Sequence, residues 1–343
     1  MGKMKDIVME LNLTKEQMKD KDIQKFALQV AYRKQTNDWY QYWNGNGYCE
    51  LNKKDGTMIT TVLNDNEDFK PEFPLNCDIN ISNNCCIGCP FCYQGCTKDG
   101  KHADIIKFIT DKNSFLYTLH EGTELAINGN EPFHPDLQQL LEFCLLRGIV
   151  ANLTVNEITL LKHQKQIEDW LERGYIKGIG ISPKTYSQLM IDWAAKHPTA
   201  VIHTIVGITS DTQYKQMFDK GLKVLILGYK DFGRGIEYKE DESENVYIKT
   251  RTSWLKDNIK DFTKHFNVVS FDNLAVEQLN PKSFLTKKQW ETFYRGDDGH
   301  HTLAINLVDE TYAKNSVQPR SEHKPLLKDI RDMLADIRGD LLW

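Results

Sequence analysis

Between residues 75 and 229 short apolar runs alternate with segments of helical periodicity, and this alternation constrains the fold more than any other feature of the chain. The runs are CDINIS (77–82), ELAIN (124–128), VANLTVN (150–156), IKGIGIS (176–182), VIHTIVG (201–207) and KVLILGY (223–229). Between them stand HPDLQQLLEFCLLRG, NEITLLKHQKQIEDWLERG and SPKTYSQLMIDWAAKHP. The first has proline near its start and glycine just past its end, the usual asymmetry of a helix. Strands joined by helices of this length form βαβ units and a parallel sheet. A doubly wound sheet covers both faces, so its strands are apolar throughout. Here alternate positions are polar or small: Asp78, Asn80 and Ser82; Asn152, Thr154 and Asn156; Gly178, Gly180 and Ser182. Successive strand side chains point to opposite faces, so one face is expected to line a polar cavity. The expected fold is α/β, a partial (β/α)6 TIM-type barrel over residues 73–236, with functional groups at the C-terminal ends of its strands.

Residues 1–72 read as an N-terminal appendage, with a helix near 15–33 and a hairpin turning at Lys54, Asp55 and Gly56. The PEFP stretch at 71–74 marks its boundary. Residues 237–343 read as a helix and hairpin extension packing on the barrel. In it EYKEDESEN is expected to be a solvated acidic loop, a long helix follows, and HTLAINLVDETYAKNS forms a hairpin. Leu326, Ile330, Leu334 and Ile337 make a helical stripe facing the core. Asp297, Asp298, His300 and His301 look metal-like by composition, but a turn entering the hairpin is the preferred reading.

With 343 residues and 40% apolar side chains the chain can bury a large core. Its net charge of -5 gives no general attraction to nucleic acid or to an anionic membrane. No apolar run approaches the ~20 residues of a membrane span. MGKMKDIVMELNLT lacks the apolar core of a signal peptide, so the expected location is cytoplasmic. In that reducing setting clustered cysteines are more often metal ligands or redox groups than disulfides.

Five of the eight cysteines fall within fourteen residues, NNCCIGCPFCYQGC at 83–96. Two ligand sets can be read there. Cys86, Cys89, Cys92 and Cys96 have the C-x2-C-x2-C-x3-C spacing of bacterial ferredoxins, which closes a 4Fe-4S cluster for electron transfer. Against it, Thr97 stands where proline follows the fourth ferredoxin cysteine, and no second run is present. Cys85, Cys89 and Cys92 have C-x3-C-x2-C spacing, which leaves one iron open, as a catalytic site requires. A zinc knuckle on Cys86 and Cys89 lacks a matching pair of Cys or His. Cys49, Cys77 and Cys144 are isolated and read as core residues.

CCIGCPFC resembles the C-x3-C-x-Φ-C signature of the radical S-adenosylmethionine (SAM) superfamily, with Phe91 as its aromatic. INGNEP at 127–132 is similar to that family's Gly-Gly-Glu-Pro segment, with Asn130 at the second glycine. LTVNEITLL resembles its Thr-x-Asn stretch, and GIGISPKT its I-S-x-D-G segment, with Lys184 where aspartate is usual. The resemblance covers residues 75–229. It implies a metal-binding, iron-sulfur enzyme. Cys85, Cys89 and Cys92 would hold a 4Fe-4S cluster, and S-adenosyl-L-methionine on the open iron would be cleaved reductively to a 5′-deoxyadenosyl radical that abstracts hydrogen from a substrate.

The resemblance also implies site roles. The Phe91 backbone would meet adenine; Gly129, Asn130 and Glu131 the methionyl ammonium; Ser182 the ribose; and His203 and Asn156 the cofactor's surroundings. Cys86 and Cys96 would be small buried residues beside the cluster. The implied electron donor is a flavodoxin or ferredoxin. Lys184 reads as exposed, and Arg234 between Gly233 and Gly235 as a candidate anion-binding loop. CTKDGKHAD and LHEGTELAINGNEPFHPDL resemble a bacterial and phage subgroup with no settled substrate, leaving peptide or protein, and nucleotide or small metabolite, as candidates. The alternative class is a ferredoxin-like electron carrier on Cys86, Cys89, Cys92 and Cys96.

Overall fold

The computed structural model describes residues 13–33, 38–54, 56–62, 67–294 and 296–340. The N-terminal part holds a helix, Lys21–Arg33, and an antiparallel sheet of β1 (Trp39–Asn44), β2 (Gly47–Asn52) and β3 (Met58–Val62). The β2–β3 hairpin is the expected one. Its turn residue Asp55, and the first twelve residues read above for a signal peptide, lie outside the described residues. The helix starts later than expected, because the chain turns at Asp20 after a short 3-10 segment, Gln17–Lys19. β1, WYQYWN, was missed because its aromatic and amide residues do not alternate in polarity.

The second sheet begins with β4 (Asn76–Asn80), β5 (Glu124–Gly129), β6 (Val150–Asn156), β7 (Gly178–Ser182), β8 (Ala200–Ile205) and β9 (Lys223–Leu227). These are the six strands expected, with ends moved by no more than two residues. The C-terminal part adds β10 (Val268–Phe271), β11 (Thr302–Asn306), β12 (Thr311–Ala313) and β13 (Lys324–Pro325). Together they form one mixed sheet in the order β10-β9-β8-β7-β6-β5-β4-β11-β12-β13. It is parallel from β10 through β11 and antiparallel in β12 and β13.

Residues 237–343 therefore do more than pack on the sheet, as expected of them; they extend it at both edges. The β11–β12 hairpin is as read, but its first strand also pairs in parallel with β4, a partner more than 200 residues away that no local pattern announces. EYKEDESEN is helical instead of a loop. Helix Arg234–Glu240 passes into helix Glu242–Asn258 at Asp241, whose carboxylate accepts from the backbone N–H groups of Ser243 and Glu244. Acids at a helix start favour the helix dipole, so the acidic run begins a helix. NEITLLKHQKQIEDWLERG divides at His163 into helices Glu157–Lys162 and Gln164–Glu172. Helix Ile330–Arg338 buries Ile330 and Leu334, while Leu326 of the expected stripe precedes it.

The two faces of the parallel strands differ as the alternation predicts. Leu153, Val155, Ile179, Ile181, Ile202 and Ile226 are buried in the core, shared with Leu140, Leu141, Trp170, Met190 and Tyr214. The alternate positions Asn152, Thr154, Gly178, Gly180 and Ser182 line a cavity on the other face. Ser82 is the exception. β4 ends at Asn80, and Ser82 is buried with its hydroxyl bonded to Asn84 N and His102 Nδ1. Replacing Leu153 with Ala should cost about 2–5 kcal/mol of stability, the usual range for emptying a filled core site. Thr154→Ala, one residue along on the cavity face, should cost about 1 kcal/mol or less. Urea unfolding midpoints would check both, and equal losses would contradict the two-faced strand.

Candidate functional site

A cavity of about 1170 Å³ runs along one face of the sheet and touches every strand from β4 to β11. At the N-terminal ends of the strands it meets the appendage: Tyr40, Asn52, Lys53 and Lys54 join Glu124, Lys177 and Thr199 in its lining. The appendage is held there by the Tyr42 ring stacked on His120 at 4.4 Å, and by Asn44. The Asn44 side chain accepts from Glu72 N and Phe73 N and donates to Phe73 O, each at 2.8 Å. At the C-terminal ends the cavity meets the cysteine loop. Its lining includes Cys85, Cys89, Cys92 and Cys96, while Cys86 is exposed and lies outside it. The expectation of small buried residues beside the cluster is met at Cys96 and not at the exposed Cys86. The ferredoxin-type set thus contains the one cysteine of the five that does not face the cavity.

The loop is held from several sides. At its base Asn83 and Cys85 bond through their backbones to Lys101 and Thr97, and a Cβ on Gly100 would lie 1.9 Å from Asn83 O, so only glycine fits. Asn130 donates from Nδ2 to Ser82 O (2.7 Å) and Asn84 O (2.9 Å). Arg234 donates from Nε to Cys89 O (3.0 Å), from Nη1 to Cys96 O (2.9 Å) and from its backbone N to Cys92 O (3.1 Å). The expected anion-binding loop at Gly233–Gly235 is therefore a clamp on the cysteine loop, with its guanidinium occupied by carbonyls. Cys92 is held well below the ordinary thiol range, first by a hydrogen bond from the Cys96 thiol and further by Arg234, against the effect of burial. Cys96 is pushed up in turn. Burial, then the neighbouring Cys92 and Cys85, raise Cys89.

Among the described residues no three His, Cys, Asp or Glu side chains converge on a single-ion site. Asp297 and His300 lie in a turn, as read, and His301 enters β11. The donor chemistry of the cysteine loop fits a cluster better than one ion. A four-iron cluster takes soft thiolates, each on its own iron, so they stand apart around it instead of meeting at a point.

The other expected site residues, Phe91, Gly129, Asn130, Glu131, Asn156, Ser182 and His203, all line the same cavity. Several carry duties the sequence did not disclose. The buried Glu131 carboxylate is paired with Lys162 Nζ and, at 3.0 Å, His163 Nε2, so it is not the free acceptor expected. Asn156 Oδ1 caps the following helix through Ile158 N (2.9 Å). Ser182 does not cap a helix, for helix Gln188–Lys196 is capped by Ser187. Lys184 is exposed, with Nζ 3.5 Å from Ile87 O. The His203 ring projects into the lumen because residue 180 is glycine; a Cβ there would stand 2.3 Å from His203 Cε1. Burial, then the Lys230 charge, push His203 down to about 4, so it is neutral at pH 7.

Compared with known proteins, the chain matches no family model and no curated protein.

Glu157 is the residue that sequence reading missed. Buried at 2% exposure, its carboxylate accepts from the backbone N–H groups of Lys184, Thr185, Tyr186 and Ser187 and from the Thr185 hydroxyl, at 2.7–3.1 Å. It shapes the loop that follows Ser182, including Tyr186 at a φ of +56°. In sequence it is an ordinary acid in the first turn of a helix. Burial alone would raise its pKa, but these donors outweigh burial and lower it to about 2. A depressed carboxylate stabilises the fold above its unfolded value near 4.5, and that stability is lost as pH falls toward 2. Glu157→Gln should therefore cost about 2–4 kcal/mol at pH 7, with the gap to wild type closing in acid. Denaturant melts at pH 7 and below pH 4 would test it, and a gap independent of pH would contradict the assignment.

Proposed function

We propose that the protein is a radical SAM enzyme on a partial (β/α) barrel, with a 4Fe-4S cluster held by Cys85, Cys89 and Cys92. The observation carrying this reading is that these cysteines and all seven other residues implied by the resemblance, scattered from 85 to 203, line one cavity at the C-terminal ends of consecutive parallel strands. A curled sheet is supported by the same cavity, which touches both β10 and β11; in a flat sheet these strands would stand far apart. When bound, the cluster and SAM would supply reductive cleavage and hence the radical that abstracts hydrogen.

The chain's own residues position and enclose. Arg234 and Asn130 fix the cysteine loop by its carbonyls. Since Glu131 is paired with Lys162 and His163, the backbone at Gly129 and Asn130 is the assigned contact for the ammonium. Ser182 ends β7 with its hydroxyl unbonded among the described residues and is the assigned ribose contact; Phe91 is the assigned adenine contact through its backbone. Neutral His203 offers the lumen a hydrogen-bonding ring with no charge. The appendage at the cavity floor favours enclosure, which a carbon radical requires to avoid solvent. It stands at the end opposite the cysteines, where it supports a compact substrate over a peptide led in from residues 1–72. A second reading has one observation of its own. Cys96 shares the cavity wall with the three ligands, so four thiolates could close the cluster for electron transfer.

Anaerobic reconstitution with iron and sulfide, followed by reduction and addition of SAM, should yield 5′-deoxyadenosine by mass-resolved chromatography. Cys85→Ala should abolish it and Cys86→Ala should not. No cleavage, with cluster loading that needs Cys96, would favour the electron carrier.

A further inference from the structure

The lumen between the cysteine loop and the floor has a charge pattern of its own. Asp78, Asp272, Asp298 and Lys230 all line it. Three of these four are already satisfied. Asp272 Oδ1 accepts from Gly228 N (2.8 Å) and Ala275 N (2.7 Å). Asp298 accepts from Asn273 Nδ2 and Asn315 Nδ2, each at 2.7 Å. Lys230 donates to Ser316 Oγ at 3.0 Å and lies 4.0 Å from the Tyr93 ring centroid.

Asp78 differs. It sits midway along β4, between the floor residue Asn76 and the mouth residue Asn80, and its carboxylate takes part in no hydrogen bond or ion pair among the described residues. Its neighbours across the sheet, Ala126 on β5 and Ala304 on β11, are too small to reach it, so the carboxylate faces open lumen. The carboxylate stays open to the lumen, and its walls together with the neighbouring Asp298 and Asp272 raise its pKa against the pull of Lys230. Other unpaired groups stand on the same wall. Asn80 Oδ1, Asn152 Oδ1 and the hydroxyl of fully buried Thr159 are buried without a hydrogen bond. All of these are acceptors or can act as one. Buried acceptors left open are costly unless something donates to them.

We propose that this lumen takes a compact substrate bearing a cationic amine and further hydrogen-bond donors, with Asp78 as the carboxylate that anchors the amine. The proposal rests on the reading of the cavity as an active site and names the substrate class for it. A carboxylate facing a cavity binds an ammonium through charge-assisted hydrogen bonds, and a neutral isostere leaves it unpaired. An acidic ligand group set against Asp78 would meet like charge.

The test uses the full chain without added SAM, so its outcome is independent of whether 5′-deoxyadenosine is ever formed. Saturation-transfer NMR would compare three amines, glucosamine, putrescine and agmatine, with glucose, 1,4-butanediol and glucuronate. At least one amine should bind, with its neutral or acidic counterpart about tenfold weaker or undetected. Asp78→Asn should weaken that amine about tenfold, while the exposed Asp257→Asn should leave it within about twofold. Asp78→Asn should also raise Tm at pH 7. A carboxylate whose folded pKa is raised destabilises the fold above that pKa, and the amide removes this cost. Binding of none of the amines, equal binding of charged and neutral partners, unchanged binding in Asp78→Asn, or a fall in its Tm would each overturn the proposal.

Discussion

A parallel strand that carries Asn, Thr and Gly on one face needs somewhere wet for that face to point. Burying those groups under a second helical layer would strand amides and hydroxyls away from water, each at about 1–3 kcal/mol. The rest of the molecule follows from this constraint. Helices cover the apolar face, where Leu153, Ile181 and their neighbours are sealed. The polar face encloses the cavity, and the strand ends bring residues from six βα units to its mouth. The two sheets meet at the other end, where Tyr42 and Asn44 dock β1 beneath β4 and β5.

The cysteine loop shows how a segment without regular structure is held. Its thiols are presented by backbone, and that backbone is fixed by donors from distant parts of the chain. Asn130 comes from the end of β5 and Arg234 from beyond β9. Asn130 stands where the resembled family has glycine, and its amide gives that departure a physical purpose: it ties together the carbonyls of Ser82 and Asn84. Glu157 does the same for the loop after β7, with one carboxylate gathering four backbone N–H groups. In both cases a side chain supplies hydrogen bonds that irregular backbone cannot supply for itself.

What was legible in advance was whatever repeats at short range. Six strands, their alternating faces and the cysteine spacing could be read because pleat, helix period and ligand spacing are local properties. The burial of Cys49, Cys77 and Cys144 could be read for the same reason. The acidic run at 237–245 is not legible as a helix from charge, because acids are equally at home in a solvated loop and at a helix start. β10 was hidden because an edge strand of four residues is defined by its partner, and for β11, legible as one arm of a hairpin, only the parallel pairing with β4 was hidden.

By itself, then, the sequence determined a βα chain with one polar sheet face and a thiol-rich loop after its first strand. Those features need only the stereochemistry of neighbouring residues. The tertiary structure decided which cysteines face the cavity, that Arg234 clamps carbonyls instead of binding an anion, and that Glu131 is paired. It also decided that Asp78, flanked by two alanines, is left open. Each of these depends on which side chain arrives from tens to more than a hundred residues away, or on whether any arrives at all. Local pattern does not encode such encounters, because they are settled only when the strands take their places in the sheet.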